Sequence, residues 1–228
     1  MSVEVGKVSL GVELAGQKLQ SQMQTLVGGI AKKAGAVLGA ALSVKALAGF
    51  SKKCIELGSD LAEVQNIVDV TFPAMSAKVD AFARSAASSF GLSETMAKKF
   101  TGTFGSMAEA FGFSEQAAYE MSTTLTGLAG DVASFYNISQ DEAYTKLKSV
   151  FSGETETLKD LGIVMTQASL DAYAMANGFG RTTAQMTEAE KVSLRYAFVQ
   201  DQLKNATGDF WRTQDSWANQ SRLLALQA

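Results

Sequence analysis

The spacing of hydrophobic and polar residues changes along this 228-residue chain, and each change marks an element. Val8, Leu10, Val12 and Leu14 alternate with Ser9, Gly11 and Glu13, the period of two expected of a half-buried strand. A lone strand is unstable and needs a partner. The candidates are the short extended run Ile163-Val164-Met165 after Gly162, or another subunit. From Leu19 the apolar residues recur at three and four, through Met23, Leu26, Val27, Ile30, Ala34, Val37 and Leu38, which predicts helix. Residues 26–50 of that helix are rich in Gly and Ala. Gly35, Gly39 and Ala40 leave room for close approach of another helix.

Further on, one local design occurs three times: Phe90-Gly91-Leu92-Ser93, Phe111-Gly112-Phe113-Ser114 and Tyr136-Asn137-Ile138-Ser139. Gly or Asn takes the left-handed conformation that ends a helix, and the Ser hydroxyl then caps the next one. The apolar residue between them can staple to the N4 position, Ala97, Ala118 or Ala143. Ser139 and Glu142 also have the spacing of a capping box, as do Thr187 and Glu190. Helices are therefore expected near 94–110, 115–136 and 140–151, joined by tight corners that make them neighbours. Gly153 precedes the short acidic helix start Glu154-Thr155-Glu156, and Thr166 caps a helix that ends at Asn177-Gly178. A last helix, with Trp211 and Trp217, is expected to start near Asp209 and to reach Ala228 without a stop signal, which suggests a longer natural protein. The expected core holds Phe90, Phe104, Phe111, Phe113, Leu125, Leu128, Phe135, Leu147, Leu158, Ile163, Val164, Tyr196 and Phe198. Gly127 and Gly130 lie mid-helix, where each costs about 1 kcal/mol relative to Ala, so close passage of another helix is the expected reason for them.

The fold class that follows is mainly α. A compact multi-helix domain with tight Gly/Asn–Ser corners is preceded by a short N-terminal strand and a Gly/Ala-rich helix. The chain divides into the strand (1–15), a basic, apolar assembly helix (16–54), the helical core (55–208) and the start of a further helix (209–228). Composition supports this division, with a single proline, Pro73, in the whole chain. Residues 1–53 carry seven lysines against Glu4 and Glu13, whereas the remainder carries 13 basic and 21 acidic residues. Such a split implies parts with different neighbours.

Several chemistries are excluded. There is no histidine, so histidine-dependent acid/base, nucleophilic and metal chemistry is absent. Cys54 alone makes neither an internal disulfide nor a cysteine-cluster zinc site. The N-terminus has no basic start followed by an apolar run, so it is not a secretory signal. The longest uncharged run in the Gly/Ala-rich helix is the 11 residues Ala34–Val44, short of the roughly 20 needed to span a bilayer.

Four stretches carry a resemblance. Thr126-Gly-Leu-Ala-Gly-Asp-Val-Ala-Ser-Phe-Tyr-Asn137, followed by Asp141 to Lys148, closely resembles the core of phage tail tape measure proteins. So do Gly153-Glu-Thr-Glu-Thr-Leu-Lys-Asp-Leu-Gly-Ile-Val-Met165, Met186 to Tyr196, and Asp215-Ser-Trp-Ala-Asn219. The motifs fall in order over roughly residues 55–228. Members of that family assemble in several copies inside a growing tail tube, set its length and leave ahead of the DNA. The resemblance implies a structural protein that anchors a tape measure, with no catalytic residue, cofactor or metal. Gly91, Ser93, Gly112, Ser114, Gly127, Gly130, Asp131, Asn137, Ser139, Gly153, Glu154 and Gly162 are its candidate structural positions. Its implied partners are further copies of the chain, the tail tube protein and tail assembly chaperones. Its implied location is the virion tail, and the host cytoplasm during assembly.

Two other readings rest on weaker features. The basic stretch 26–53 suits a membrane-active module used during genome delivery, which would touch the host membrane, although its lysines scatter round the helix instead of forming one face. A cell-wall hydrolase-associated domain would need paired carboxylates across a cleft. Glu94, Glu109, Glu115 and Glu120 have no flanking signature of that kind. Lysines are few and the bulk of the chain is acidic, so no nucleic-acid recognition is expected.

Overall fold

The computed structural model describes residues 60–227. The expected N-terminal strand and the whole of the basic helix, 16–54, lie outside the described residues. The described residues are mainly helical, with no strand among them. A helix over 60–71 (α1) is followed by α2 (Ser76–Phe90), α3 (Glu94–Ala110), α4 (Glu115–Phe135), α5 (Gln140–Leu147) and α6 (Ser149–Ser152). A 3-10 turn (Glu156–Leu161) leads to α7 (Gln167–Ala176). A second 3-10 turn (Thr183–Gln185) leads to α8 (Glu188–Gln202), α9 (Asp209–Arg212) and α10 (Trp217–Gln227).

The three corners form as their residues dictate. Gly91, Gly112 and Asn137 have φ of 66°, 86° and 53°. The residue after each turns its N–H back to the finished helix. Leu92 donates to Ala86 O (3.3 Å), Phe113 to Ala108 O (3.3 Å) and Ile138 to Ala133 O (3.1 Å), which satisfies carbonyls the helix end leaves open. Ser93, Ser114 and Ser139 then accept from the N–H of Met96, Ala117 and Glu142. Chain reversal within four residues lays α2, α3, α4 and α5 side by side, with α4 between the others.

Because α4 is surrounded, nine consecutive residues from Leu125 to Ala133 are buried, with no polar face left among them. Its glycines set how closely α2 can pass. A Cβ on Gly130 would lie against the Phe90 carbonyl and 2.8 Å from Phe90 Cβ, and one on Gly127 would lie 2.9 Å from the Phe90 ring. The same crowding explains a buried hydroxyl pair, Thr101 to Thr126 at 3.0 Å, which satisfies two polar groups that no water reaches. Beside them Phe100 stacks on Tyr144 with centroids 4.2 Å apart.

Several expectations need correction. Phe135 is 46% exposed, because the end of α4 turns Tyr136 inward instead, and Tyr136 donates its hydroxyl to Leu161 O at 2.9 Å. Val164 is 57% exposed: Gly162 ends the 3-10 turn, and the extended residues after it alternate, burying Ile163 and Met165 and turning Val164 out. Phe90, Phe111, Phe113 and Tyr196 pack on the core but stay half-buried. The helix expected over 140–151 is interrupted at Lys148, where Ser149 Oγ donates to Lys146 O at 2.6 Å and competes for the backbone acceptor. The Ser139–Glu142 capping box is half formed, since the Glu142 carboxylate reaches Lys146 at 3.5 Å. The Thr187–Glu190 box is complete. The last helix is two, with a turn between Arg212 and Trp217.

Candidate functional site

The densest long-range polar network joins the C-terminal half of α4 to the segment from Thr207 to Arg222. It begins at Asp131, which is 3% exposed on the buried face of α4. Its carboxylate accepts the N–H of Gly208 at 2.7 Å and of Phe210 at 3.2 Å, so it caps the short helix α9 from outside the segment. Gly208 takes φ 76°, which bends the chain so that these N–H groups converge. Phe210 is thereby driven into the core against Gly91, whose missing Cβ would collide with the Phe210 ring.

One turn along α4, Ser134 Oγ donates to Asp209 Oδ2 at 2.7 Å. The same oxygen accepts from Asn219 Nδ2 at 2.9 Å. Asn219 also donates to the carbonyl and hydroxyl of Thr213, at 3.2 and 2.9 Å, and is itself 1% exposed. Arg222 completes the set from α10. It donates to Asn219 Oδ1 (2.7 Å), Ala133 O (3.0 Å), Asn137 Oδ1 (3.1 Å) and Ile138 O (3.3 Å). The guanidinium thus sits on the carbonyl end of α4, where the helix dipole favours a cation.

Burial pushes the Asp131 carboxyl above the usual carboxylate range and outweighs the two N–H bonds that favour its ionised form. Burial likewise pulls the Arg222 guanidinium below its usual value. Chemically the arrangement is a latch. It satisfies the buried polar groups of two sequence-distant segments with one another.

Of the candidate positions, the structure places Asp131 and Asn137 in this latch, and Gly91 beneath it through Phe210. Gly127 and Gly130 set the α2–α4 approach on the neighbouring face, and Ser93, Gly112, Ser114 and Ser139 serve the corners. Gly153 (φ 75°) ends α6, Gly162 (φ 74°) ends the 3-10 turn, and Glu154 is exposed beside Ser152; these three lie apart from the latch. The latch residues that sequence reasoning passed over are Ser134, Thr213 and Arg222, while Asp209 entered only as the start of the last helix. Their only signal was membership, for Ser134, of the Thr126–Asn137 stretch. From the Asp215–Asn219 stretch only Asn219 enters, while Trp217 is 85% exposed. Comparison with family models, with curated proteins and with solved structures gives no match to this chain.

Proposed function

We propose that this chain is a structural component of phage tail assembly, the anchoring part of a tape measure protein. The observation that carries the proposal is that two stretches resembling that family, Thr126–Asn137 and Asp215–Asn219, meet in one buried polar latch. Asp131, Ser134 and Asn137 of the first stretch and Asn219 of the second share that structural purpose. The latch sets the direction in which α10 leaves the folded core, which is what an anchor for an extended helical ruler requires. The core is not the ruler: the longest helix among the described residues, α4, has 21 residues and spans about 32 Å at 1.5 Å per residue, and tight corners fold its neighbours back. Further copies of the chain, the tail tube protein and assembly chaperones are the proposed partners, and the virion tail is the proposed location.

The direct test is genetic. The coding sequence is deleted from the genome that carries it, particle formation is induced, and the products are viewed by electron microscopy. Loss of tails, or tails of uncontrolled length restored by the intact gene, is the expected result. Particles with normal tails in the deletion strain would overturn the proposal.

A further inference from the structure

Away from the latch, a cleft of about 360 Å³ opens between the end of α6, the start of α7 and the flank of α8. Its polar wall carries Thr155, Gln167, Lys191 and Arg195, and Met165 contributes to its apolar wall. Arg195 is 7% exposed, and its position depends on Gly153, where a Cβ would lie 2.7 Å from Nη1. The Arg195 Nε donates to Lys191 O at 3.1 Å and Nη1 donates to Phe151 O at 2.9 Å. A guanidinium has five N–H donors, so three remain. Among the described residues Nη2 has no hydrogen-bond partner, and Arg195 lines the cleft.

Arg181 and Arg212 each have a carboxylate within 4.0 Å, but among the described residues Arg195 has none. A buried cation without an anion is costly, and the planar fork of a guanidinium matches an oxyanion with two oxygens. Lys191 stands on the same wall and is only partly neutralised by Glu188, which it meets at the protein surface at 2.7 Å. The first turn of α7, which reaches the cleft at Gln167, adds the positive end of a ten-residue helix. Burial holds the Arg195 guanidinium below its usual pKa, and the nearby Glu188 carboxylate offsets that shift only in part.

We propose that this cleft is an oxyanion-binding site, in which Arg195 and Lys191 hold the carboxylate or phosphate group of a small organic ligand whose apolar part rests beside Met165. The site draws Thr155, Met165, Lys191 and Arg195 from the Gly153–Met165 and Met186–Tyr196 stretches and Gln167 from outside them, and it uses none of the latch residues, so it stands independently of the anchoring role.

The test uses the full chain and two probes, inorganic phosphate and N-acetyl-glutamate amide. Each is titrated at neutral pH against sodium chloride of equal ionic strength, with Tm and the arginine side-chain NMR resonances as readouts. A millimolar site raises Tm by roughly 3–6 °C at tenfold excess over Kd, and the Arg195 Nε–H resonance shifts with saturation. A response to phosphate alone assigns a phosphate-bearing ligand, and a response to the glutamate probe alone assigns a carboxylate-bearing one. Lys191→Gln, at a half-buried surface position, is expected to weaken binding about tenfold, and Arg195→Gln to abolish it. Should Arg195→Gln fail to fold, Gln167→Glu tests the same point, because a built-in carboxylate on the cleft wall is expected to remove the probe-dependent rise in Tm. A response to neither probe beyond that to chloride, or a response unchanged by Lys191→Gln and Gln167→Glu, overturns the proposal.

Discussion

At Gly130 one backbone carbonyl decides what the residue can be. A Cβ there would meet Phe90 O, which belongs to α2 and cannot rotate away as a side chain could. Gly130→Ala is therefore expected to destabilise the protein by about 2–3 kcal/mol, the scale of overpacking a filled core. Gly112→Ala tests a different cost. Nothing lies within 4 Å of a Cβ there, so only the left-handed backbone is strained, at about 1 kcal/mol. Urea unfolding of the two variants should show the larger loss at Gly130; equal losses would remove the packing argument. Asp131 makes a prediction in pH. Its carboxyl is raised in the folded state by burial, so the folded protein holds this proton more tightly than the unfolded chain does. The contribution is fully present below the ordinary aspartate value of 3.8 and is lost as pH rises through the raised value. Asp160 acts in the opposite sense. Its hydrogen bond from Lys146 lowers its pKa, so its stabilisation is present above the ordinary range and lost as pH falls through the depressed value. Asp131→Asn should flatten the decline in stability on the alkaline side of pH 3.8, measured as unfolding free energy against pH in parent and variant. An unchanged slope would show that the proton is held elsewhere.

The corners are the feature that belongs to the scale of elements. Each combines a left-handed residue, a returning N–H and a serine cap, all local in sequence. Ser93→Ala, Ser114→Ala and Ser139→Ala should each cost about 1 kcal/mol by loss of the cap, read from thermal or urea melts. Asn137 differs from the two corner glycines because its side chain has a second duty. A glycine there would relieve the left-handed backbone but lose the acceptor for Arg222. Elements also show where local signals stop. Lys148 and Ser149 have nothing that marks a helix break, and the interruption arises from a hydroxyl–carbonyl bond formed once the helix is in place. Val164 and Phe135 were expected inside because they are apolar. Which side of an extended run or a helix end faces inward depends on what packs there, and hydrophobicity alone does not carry that information.

Across the whole molecule, the C-terminal segment is part of the core and not an appendage to it. Phe210 is 1% exposed, and Asp131 holds the N–H of Phe210 and that of Gly208. A fragment of residues 55–208, the helical core expected from the sequence, lacks that ring and the latch. It should melt well below a fragment of 55–228, because deleting a buried Phe costs about 3–5 kcal/mol. Arg222→Ala should speed hydrogen exchange in residues 214–227 at least about tenfold while leaving α3 and α4 protected, as expected when one segment opens locally. Uniform acceleration would mean that the latch stabilises the entire fold and does not specifically orient α10.

The sequence by itself determined whatever depends on neighbours within a few residues. Helical character, the corners at Gly91, Gly112 and Asn137, their serine caps and the complete Thr187–Glu190 box are all set by backbone conformation and hydrogen bonds of short range. The glycines at 127 and 130 announced a close approach, since nothing local rewards glycine inside a helix. Only the tertiary structure decided what makes that approach, namely Phe90 of α2. It alone brought Asp131 to Gly208, Ser134 to Asp209 and Asn219, and Arg222 to the end of α4, across separations of 75 to 89 residues. The cleft around Arg195 has the same origin, because Gly153 and Arg195 are 42 positions apart and meet only after α6 packs on α8. Polar residues reveal in sequence that they need partners; which partners they find depends on how the helices pack.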